Sequence, residues 1–272
     1  MAERSLSDQR PQVGSELDIP GLGMDRWWLL VVFVVALIAL LAIFVPDPYG
    51  RALTFMMDGV WVTISVTVTS FILVTIAGLF GGLGRLSKNK VISSLATLYV
   101  EVIRGIPLMV QLLFWYFAFP AIIQAIGRAI DYDPFKTYLA NPVAMAIVGL
   151  TVCYAAYMSE IYRAGIQSIG KGQMEAARSL GMSQTQAMRY VILPQAIRVI
   201  LPPMGNEFIS LLKDSSLVSV VAVADLTRLG REFSGKTFTP IETWTMVALI
   251  YLVMTILSAR VVAYIERRTK MA

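Results

Sequence analysis

A run of apolar residues without any charge, 27–45 (WWLLVVFVVALIALLAIFV), limits most strongly what this chain can fold into. A helix of about 20 apolar residues crosses the roughly 30 Å hydrocarbon core of a bilayer, and in lipid the backbone must satisfy its own hydrogen bonds. Only 15% of the residues are charged, whereas soluble domains carry about 25%. The sequence therefore predicts a helical protein that is embedded in a membrane.

Six segments have the length and composition of membrane-spanning helices, although two of them contain more than one charged residue. The six predicted spans are 27–45, 59–83, 96–119, 142–162, 204–224 and 243–263, of which the third and the fifth carry most of the charges. The connections between them are short, and no long linker divides the chain. The predicted fold class is an all-α polytopic membrane helical bundle.

The lysines and arginines are distributed unevenly between the two sides of this predicted bundle. If the N-terminal tail, residues 1–26, lies in the cytoplasm, the segments on that side carry most of the basic residues, as the positive-inside rule requires. The segment 163–203 is then cytoplasmic as well, and the segments 120–141 and 225–242 face the other side. We therefore predict that both termini are cytoplasmic.

The residue inventory excludes several kinds of chemistry. Histidine is absent and Cys153 is the only cysteine, so an intramolecular disulfide is impossible, and neither a zinc site nor histidine-based catalysis is expected. The net charge of +5 would indicate nucleic-acid binding in a soluble protein, but here it fits basic residues retained on the cytoplasmic side. Gly78, Gly81, Gly82 and Gly84 are typical of close helix packing, because no Lys-Ser/Thr pair follows to make a phosphate loop.

A polar, helix-forming stretch interrupts the apolar pattern at 175–194 (EAARSLGMSQTQAMRYVILP), and we call it the knuckle. Gly181 stands where a helix ends in a left-handed residue, and Ser183 with Gln186 three residues later has the spacing of a capping box. Pro194 then interrupts the hydrogen-bond ladder of the second helix. The pattern predicts helix, sharp turn, helix. By spacing alone this could equally be a re-entrant or interfacial loop, whereas a DNA-binding unit would need a basic recognition face.

The knuckle also carries a spaced motif. Glu175-Ala176-Ala177 is followed by three residues, Gly181, nine residues and Val191-Ile192-Leu193-Pro194. This order resembles the EAA loop of ATP-binding cassette importer permeases, whose pattern ends in Ile, any residue, Leu-Pro, so that Val191 is a mild departure. The stretches that resemble the polar amino acid permease subfamily are VEVIRGIPLMVQ (100–111), AAYMSEIYRAGIQSI (155–169), KGQMEAARSLG (171–181), LPQAIRVILPP (193–203) and LLKDSSLVS (211–219).

The resemblance covers roughly 59–265 and implies a five-span permease core there, to which 27–45 adds an N-terminal span. It implies the transmembrane subunit of an ATP-driven importer of polar amino acids in the bacterial plasma (inner) membrane, which catalyses no reaction itself. The chain would bind no cofactor, while ATP and Mg²⁺ are used by a partner. The implied partners are two copies of an ATP-binding subunit, a second permease chain as homodimer or heterodimer, an extracytoplasmic substrate-binding protein and the lipid bilayer, with no nucleic acid.

The same resemblance makes the knuckle a coupling element that docks in a groove of the ATP-binding subunit and transmits its closure to the bundle. Glu175 would pair with a basic residue or a helix N-terminus of that partner, and the small side chains beside it would allow close approach. Gly181 would fix the angle between the docking helix and the spans. The residues assigned to coupling are Glu175, Ala176, Ala177, Gly181, Leu193 and Pro194.

Polar and ionisable residues inside the predicted spans are candidates for the substrate path, because such residues are costly in lipid. Glu160 could bind the ammonium or side-chain cation of an amino acid, or it could only form a salt bridge with Arg163 three residues later. Gly105 and Pro107 are expected to break or kink the third span, which would expose backbone groups to a cavity. The substrate-path candidates are Tyr157, Glu160, Gln111, Asn206 and Ser210.

A second set of charged residues is assigned to gating or subunit packing rather than to substrate contact. Glu101 and Arg104 lie three residues apart and could simply neutralise each other. Lys213 and Asp214 resemble a family hallmark near the cytoplasmic end of a span. The gating and packing candidates are Glu101, Arg104, Glu207, Lys213 and Asp214.

Two other functions fit parts of the pattern. A permease for another small solute, such as a quaternary amine or an opine, would have the same kind of knuckle. A stand-alone secondary transporter would work without an ATPase, but it would be expected to show internal repeats, which these spans do not show. The outer segment 225–242 either contacts a substrate-binding protein or is only a solvated loop.

Overall fold

The computed structural model describes residues 26–270, and this part of the chain is helical and contains no strand. The all-α fold class is therefore confirmed, while the predicted tail 1–26 lies outside the described residues except for its last one. The helices are α1 (Arg26–Phe44), α2 (Arg51–Arg85), α3 (Lys90–Gly105), α4 (Leu108–Leu113), α5 (Phe119–Ala129), α6 (Asp133–Lys136), α7 (Pro142–Gln167), α8 (Lys171–Ser179), α9 (Gln184–Ala187), α10 (Leu193–Asp214), α11 (Leu226–Thr237) and α12 (Pro240–Lys270).

Several of these helices are joined end to end without a turn. Two π-helical segments do this, at Phe114–Ala118 and Met188–Ile192, and a 3₁₀ segment, Ser215–Val221, follows α10. The chain between α1 and α2 is instead kinked within Pro46–Gly50, where Asp47 is not helical (φ −114°, ψ 113°). In a π segment the backbone hydrogen bonds reach one residue further than in an α-helix, which absorbs an irregularity without ending the helix. The bundle is consequently built from a few long rods.

Five rods of the described chain are long and apolar enough to cross a membrane. They are Trp27–Phe44, Pro46–Arg85, Leu108–Ala129, Pro142–Gln167 and Pro240–Thr269. Four of them contain most of the predicted spans 27–45, 59–83, 142–162 and 243–263. The chain is thus a multi-pass membrane protein, and two of the predicted spans need correction.

The predicted span 96–119 is wrong in its position. α3 ends at Gly105, Ile106 is extended (φ −105°, ψ 128°), and the membrane-length rod begins only at Leu108. Proline lacks the N–H that would continue the ladder, and its ring disfavours a helical conformation in the residue before it. The apolar pattern therefore runs across two helices that the backbone at Pro107 separates.

The predicted span 204–224 also differs from the structure. The helix that contains its first half, α10, begins earlier, at Leu193, and is too polar to be among the five rods. The second half of the predicted span is the 3₁₀ segment, which ends at Ala222 in a left-handed conformation (φ 63°). A single apolar helix is therefore not formed here.

The most extensive contact between two helices of the described chain joins α2 and α7, and glycines allow the two helices to approach closely. A Cβ atom added at Gly78 would lie 2.6 Å from the side chain of Met158, and one at Gly82 would lie 2.9 Å from the carbonyl oxygen of Ser159. A Cβ atom at Gly81 would meet the Ser159 hydroxyl. The interpretation of these glycines as a packing set agrees with the structure.

Two clusters of buried side chains hold the rods together. The larger lies between α2, α7 and α10 and includes Leu150, Met158 and Leu211. The smaller lies between α2, α11 and α12 and includes Met56 and Leu226. The smaller cluster lies towards the end of the bundle that is opposite to the knuckle.

The N-terminal helix α1 packs along α12 rather than standing apart from the bundle. Val31 and Val34 are buried, and Ile38 packs against the smaller cluster. The guanidinium carbon of Arg260 lies 4.9 Å from the centre of the Trp27 ring, a distance at which an aromatic face attracts a cation. The start of α1 therefore lies beside the last third of α12.

Candidate functional site

A cavity of about 460 Å³ opens where the chain between α3 and α4 leaves the helical path. Its walls are the break itself (residues 105–108), the middle of α7 and the C-terminal half of α10. Non-helical backbone at membrane depth is tolerated where it is buried in protein or lines a water-filled space. The polar side chains that line this cavity are Arg104, Tyr154, Tyr157, Glu207, Ser210 and Asp214.

One cation and two carboxylates face this cavity from different elements. The guanidinium carbon of Arg104 lies 5.0 Å from the centre of the Tyr157 ring, within the range of a cation–π contact. The hydroxyl of Tyr154 donates to Oδ2 of Asp214 at 2.7 Å, which ties α7 to the end of α10. With Glu207 beside them, the walls offer both signs of charge, so they can meet a solute that carries a positive and a negative group.

Two of the five substrate-path candidates, Tyr157 and Ser210, line the cavity. Three residues that the sequence assigned to gating or packing line it as well: Arg104, Glu207 and Asp214. Sequence reasoning missed Tyr154, although it stands three residues before Tyr157 on the same face of a helix, where residues three or four apart are neighbours. That spacing is the feature that could have identified it.

Gln111 does not line the cavity as predicted but points back across the break. It is only 5% exposed, and its Nε2 donates to the carbonyl oxygens of Ile103 and Ile106, each at 2.9 Å. The same nitrogen lies 3.5 Å from Sγ of Cys153 in α7. Gln111 therefore supports the wall of the cavity from behind.

Glu160 also lies outside the cavity, in a cluster with two arginines. Its carboxylate forms salt bridges with Arg85 of α2 and with Arg163 of α7, and Nε of Arg163 donates to Oε2 at 2.9 Å. Arg163 donates in addition to the side chain of Gln167. The structure thus shows the salt-bridge alternative for Glu160, extended by an arginine 75 positions away in the chain.

Replacing Glu160 by Gln is expected to lower the thermal stability of the purified chain. A neutral amide leaves Arg85 and Arg163 close together without the carboxylate that neutralises them, and all three side chains are less than a third exposed. After allowance for this partial exposure, we expect a loss of about 1–3 kcal/mol in the free energy of unfolding. The melting temperature in detergent, followed by tryptophan fluorescence, measures the effect.

The matched control for that prediction is Glu232→Gln. Glu232 pairs with Arg228 one turn away on α11, where the two side chains are 40% and 34% exposed. An exposed pair of this kind contributes about 0–1 kcal/mol. Equal melting temperatures of Glu160→Gln and Glu232→Gln would show that the Glu160 cluster does not hold α2 to α7.

Three further candidates lie away from the cavity. Asn206 and Glu101 are exposed on the bundle surface. Lys213 is exposed too, and it lines a separate groove of about 320 Å³ with Tyr251 and Thr255 of α12. The helix α10 therefore carries one polar stripe towards the cavity and a second polar stripe on its outer surface.

The first turn of the knuckle has the predicted geometry. Gly181 is left-handed (φ 83°), its N–H donates to the carbonyl of Arg178 at 3.0 Å, and the N–H of Met182 donates to that of Ala177 at 3.2 Å. This pair of bonds is the Schellman motif, which satisfies carbonyls at a helix C-terminus. The turn at Gly181 predicted from the sequence is confirmed.

The second helix of the knuckle starts with the predicted capping box. Oγ of Ser183 accepts from the N–H of Gln186 at 3.3 Å, and Oε1 of Gln186 accepts from the N–H of Ser183 at 2.8 Å. Each side chain therefore satisfies a backbone donor of the other residue. Because both ends of the turn are fixed by local bonds, the knuckle is rigid.

Pro194 does not end that helix, contrary to the sequence pattern. The helical path runs from α9 through the π-helical segment Met188–Ile192 into α10. Pro194 is the second residue of α10 and follows that π-helical segment, whose irregular hydrogen bonding accommodates the N–H that proline lacks. The side chain of Gln195 donates to the carbonyl oxygen of Val191 at 2.8 Å, so the knuckle continues without a joint into a wall of the cavity.

The surface of the knuckle differs in detail from the prediction. Glu175 and Ala176 are exposed, whereas Ala177 is buried against the chain itself. Leu193 and Pro194 are exposed as well. Two large side chains that sequence reasoning did not select also protrude, Leu180 at 82% and Tyr190 at 63% exposure. Both side chains are accessible for contact with another protein.

Helices that are long enough to cross a membrane accompany a cavity lined by charged side chains. A rigid polar helical turn is continuous with α10, which forms one wall of that cavity. These features define a membrane transport subunit. Comparison with known proteins makes this assignment specific. Residues 74–271 match the family described as binding-protein-dependent transport system inner membrane component. The chain belongs to this family, and the importer-permease resemblance seen in the sequence is confirmed.

The chain is similar to characterised members over most of its length. It is 36% identical over 219 residues to the glutamine transport system permease protein GlnP of Escherichia coli (strain K12), covering 80% of this chain and 94% of that protein. It is 39% identical over 194 residues to the arginine transport system permease protein ArgU of Corynebacterium glutamicum, covering 71% of this chain and 61% of that protein.

A solved structure shows the same fold. The structure described as an amino acid ABC transporter with histidines contains a chain that is 39% identical to this one, with a TM-score of 0.71. The match covers 80% of this chain and 95% of that one. The helix α1 and the first part of α2 precede the family match at 74–271.

Proposed function

We propose that this chain is the transmembrane permease subunit of an ATP-driven importer of polar amino acids. The observation that carries the proposal is the cavity, whose Arg104 and two carboxylates, Glu207 and Asp214, offer partners for both charged groups of an amino acid. Relatives named for glutamine and arginine transport, at 36% and 39% identity, support the same substrate class.

The knuckle is the part of the chain that meets the motor. In this proposal Glu175, Ala176 and the protruding Leu180 contact an ATP-binding subunit that hydrolyses ATP with Mg²⁺, while the permease itself binds neither. Because the knuckle is rigid and continuous with α10, a displacement of the partner moves a wall of the cavity directly. Closure and reopening of two ATP-binding subunits would then alternate the side to which the cavity opens.

The same proposal also specifies the membrane, the orientation of the chain and its other partners. The chain lies in the bacterial inner membrane with both termini in the cytoplasm, so that the knuckle is cytoplasmic. A second permease chain, identical or related, covers the outer polar stripe with Asn206 and Lys213, since a lysine at membrane depth requires protein or water around it. A substrate-binding protein delivers the amino acid on the opposite side, where segment 225–242 lies.

Reconstitution in liposomes tests this proposal. The chain is purified with a co-expressed ATP-binding-cassette ATPase and supplied with a substrate-binding protein of the same organism, and uptake of a panel of labelled amino acids is measured. We expect uptake of at least one polar amino acid that requires both ATP and the binding protein. Uptake by the chain without an ATPase would contradict the proposal, and uptake of only a quaternary amine or an opine would contradict its substrate class.

A further inference from the structure

The break that forms the wall of the cavity leaves backbone groups without helical partners. The last carbonyl groups of α3 lose the N–H donors that a continuing helix would provide, and the N–H of Ile106 reaches the carbonyl of Ile103 only at 3.4 Å. Pro107 has no N–H to contribute. In a membrane-embedded bundle each such unpaired group is costly unless another donor replaces the lost one.

Gln111 supplies a donor to the end of α3 and another to the break itself. Its amide nitrogen has two hydrogens, and its two oxygen partners are the carbonyl of Ile103 in the last turn of α3 and the carbonyl of Ile106 within the break. Its backbone N–H donates to the carbonyl of Pro107 at 3.2 Å. One residue therefore fastens the end of α3, the extended residue and the start of α4.

The orientation of the Gln111 amide follows from its partners. Both neighbours at 2.9 Å are carbonyl oxygens, which can only accept, so the nitrogen and not the oxygen must face them. A side chain of similar shape without N–H groups could fill the space but could not make these bonds. Position 111 therefore requires an amide, and a side chain that only fills the same volume is not sufficient.

The fastened segment is the segment that faces the cavity. Residues 104–108 all contribute to the cavity lining, and Arg104 holds its place over the Tyr157 ring from the last turn of α3. We infer that Gln111 is a positioning residue of the translocation path, whose amide fixes the broken α3–α4 segment and thereby the shape and charge placement of the cavity wall. The effect of Gln111 on transport rests on the proposed function, whereas the hydrogen bonds that fasten the segment do not.

The sole cysteine of the chain reports on this fastening. Cys153 lies on the cavity side of α7, is only 3% exposed, and has its sulfur 3.5 Å from the Gln111 amide. A loosened break would admit water and reagents to this thiol, because local opening governs the reactivity of buried groups. The rate at which a water-soluble maleimide labels the intact purified chain can be followed by mass spectrometry.

Two substitutions of Gln111 distinguish the hydrogen bonds of its amide from the space that its side chain fills. Gln111→Met keeps a long unbranched side chain and removes both donors, and we expect Cys153 to be labelled roughly tenfold faster or more. Gln111→Glu places a carboxylate, an acceptor when ionised, against two carbonyl oxygens. Only its protonated form can donate, and then to one of them. The labelling rate of Gln111→Glu, divided by the thiolate fraction of Cys153 in the same variant, is therefore expected to exceed that of the wild type. The division is needed because a carboxylate beside the thiol also lowers the thiolate fraction.

Gln124→Met is the matched control. Gln124 also uses Nε2 to donate to a backbone carbonyl, that of Tyr138 at 2.8 Å, but it lies in α5, outside the cavity lining. Its substitution is expected to leave Cys153 labelling within about twofold of the wild type, since the local bond it loses lies elsewhere. Wild-type labelling rates in both Gln111 variants would overturn the inference, as would an equal acceleration in Gln124→Met.

Uptake by the reconstituted complex provides the second readout. A displaced wall is expected to lower the maximal rate of amino acid uptake by roughly tenfold at an unchanged KM, because capture of the substrate by the binding protein is not altered. Gln111→Asn retains the amide on a shorter side chain and is expected to recover part of that rate. If the wild-type complex takes up no amino acid, the proposed function fails while the labelling result still decides the inference. If the wild type transports and Gln111→Met transports equally well, the positioning role fails alone.

Discussion

Replacing Gly181 by Val is expected to abolish ATP-dependent uptake by the reconstituted complex. Gly181 is left-handed, with φ of 83°, a conformation that costs a residue with a side chain roughly 1–2 kcal/mol and a β-branched residue more. The two hydrogen bonds that close α8 depend on this conformation. A valine would open the turn and change the placement of Glu175 and Leu180, which in the proposed function contact the ATP-binding subunit. Both the initial rate of uptake and the amount of ATP-binding subunit that co-purifies are measured.

Two further variants make the Gly181 result specific. Gly172 lies in α8, the helix that the turn at Gly181 follows, and a Cβ atom added there would have no neighbour within 4 Å and would require no left-handed φ. Gly172→Ala is therefore expected to leave uptake within about twofold. Gly181→Asn, which tolerates the left-handed region better than other residues do, is expected to give an intermediate rate. Normal uptake by Gly181→Val would show that the turn does not transmit movement of the ATP-binding subunit to the bundle.

Replacing Gly82 by Leu is expected to prevent α2 and α7 from packing, so that little folded chain is recovered. A Cβ atom at this position would lie 2.8 Å from Cβ of Tyr162 and 2.9 Å from the carbonyl oxygen of Ser159. Neither obstacle is the flexible end of a side chain, so the helices themselves would have to move apart. Overpacking usually costs about 1–3 kcal/mol, and here the loss extends along the most extensive contact between two helices of the described chain. The yield of monodisperse protein in detergent and its melting temperature are the measurements.

The control for Gly82→Leu is the same substitution at Gly235. This glycine lies in α11 and has no atom within 4 Å of an added Cβ, so Gly235→Leu is expected to change the free energy of unfolding by no more than about 0.5 kcal/mol. Gly82→Ala adds only the Cβ atom and is expected to fall between the two. A Gly82→Leu variant with the yield and melting temperature of the wild type would contradict the close contact between α2 and α7.

The features that the sequence predicted well are those with a local cause. The turn at Gly181 and the capping box of Ser183 and Gln186 each depend on residues within a few positions of one another. The spaced motif of the knuckle is local as well. Such features can be read from one stretch of sequence because the bonds that create them stay within that stretch.

The features that the sequence did not predict depend on contacts across the fold. No pattern joins Glu160 to Arg85, which is 75 positions away, and in the structure the carboxylate lies between Arg85 and Arg163 instead of in the cavity lining. Asn206 and Glu207 are adjacent in α10, yet only Glu207 faces the cavity. The face of a helix that meets water is set by its neighbours, and a helix with two polar stripes offers no means of choosing between them.

The position of the third span illustrates a different limit. Gly105 and Pro107 predicted the break in the helix, but the apolar run continues through it, and hydropathy alone placed the span at 96–119. The structure begins that rod at Leu108 and turns the break into a wall of the cavity. Gln111 was selected for its polarity, whereas its role depends on which carbonyl groups lie within reach of its amide.

The length of α2 has a consequence for the membrane in which the chain works. Its 35 residues measure roughly 52 Å, compared with roughly 30 Å of hydrocarbon in a typical bilayer. So long a rod has to lean, extend into the headgroup layers, or thicken the lipid around it. Because glycines hold it tightly to α7, any change in its lean carries α7 with it. Lipid acyl-chain length is thus expected to shift the resting geometry of the transport path, and thin and thick bilayers are expected to support different rates.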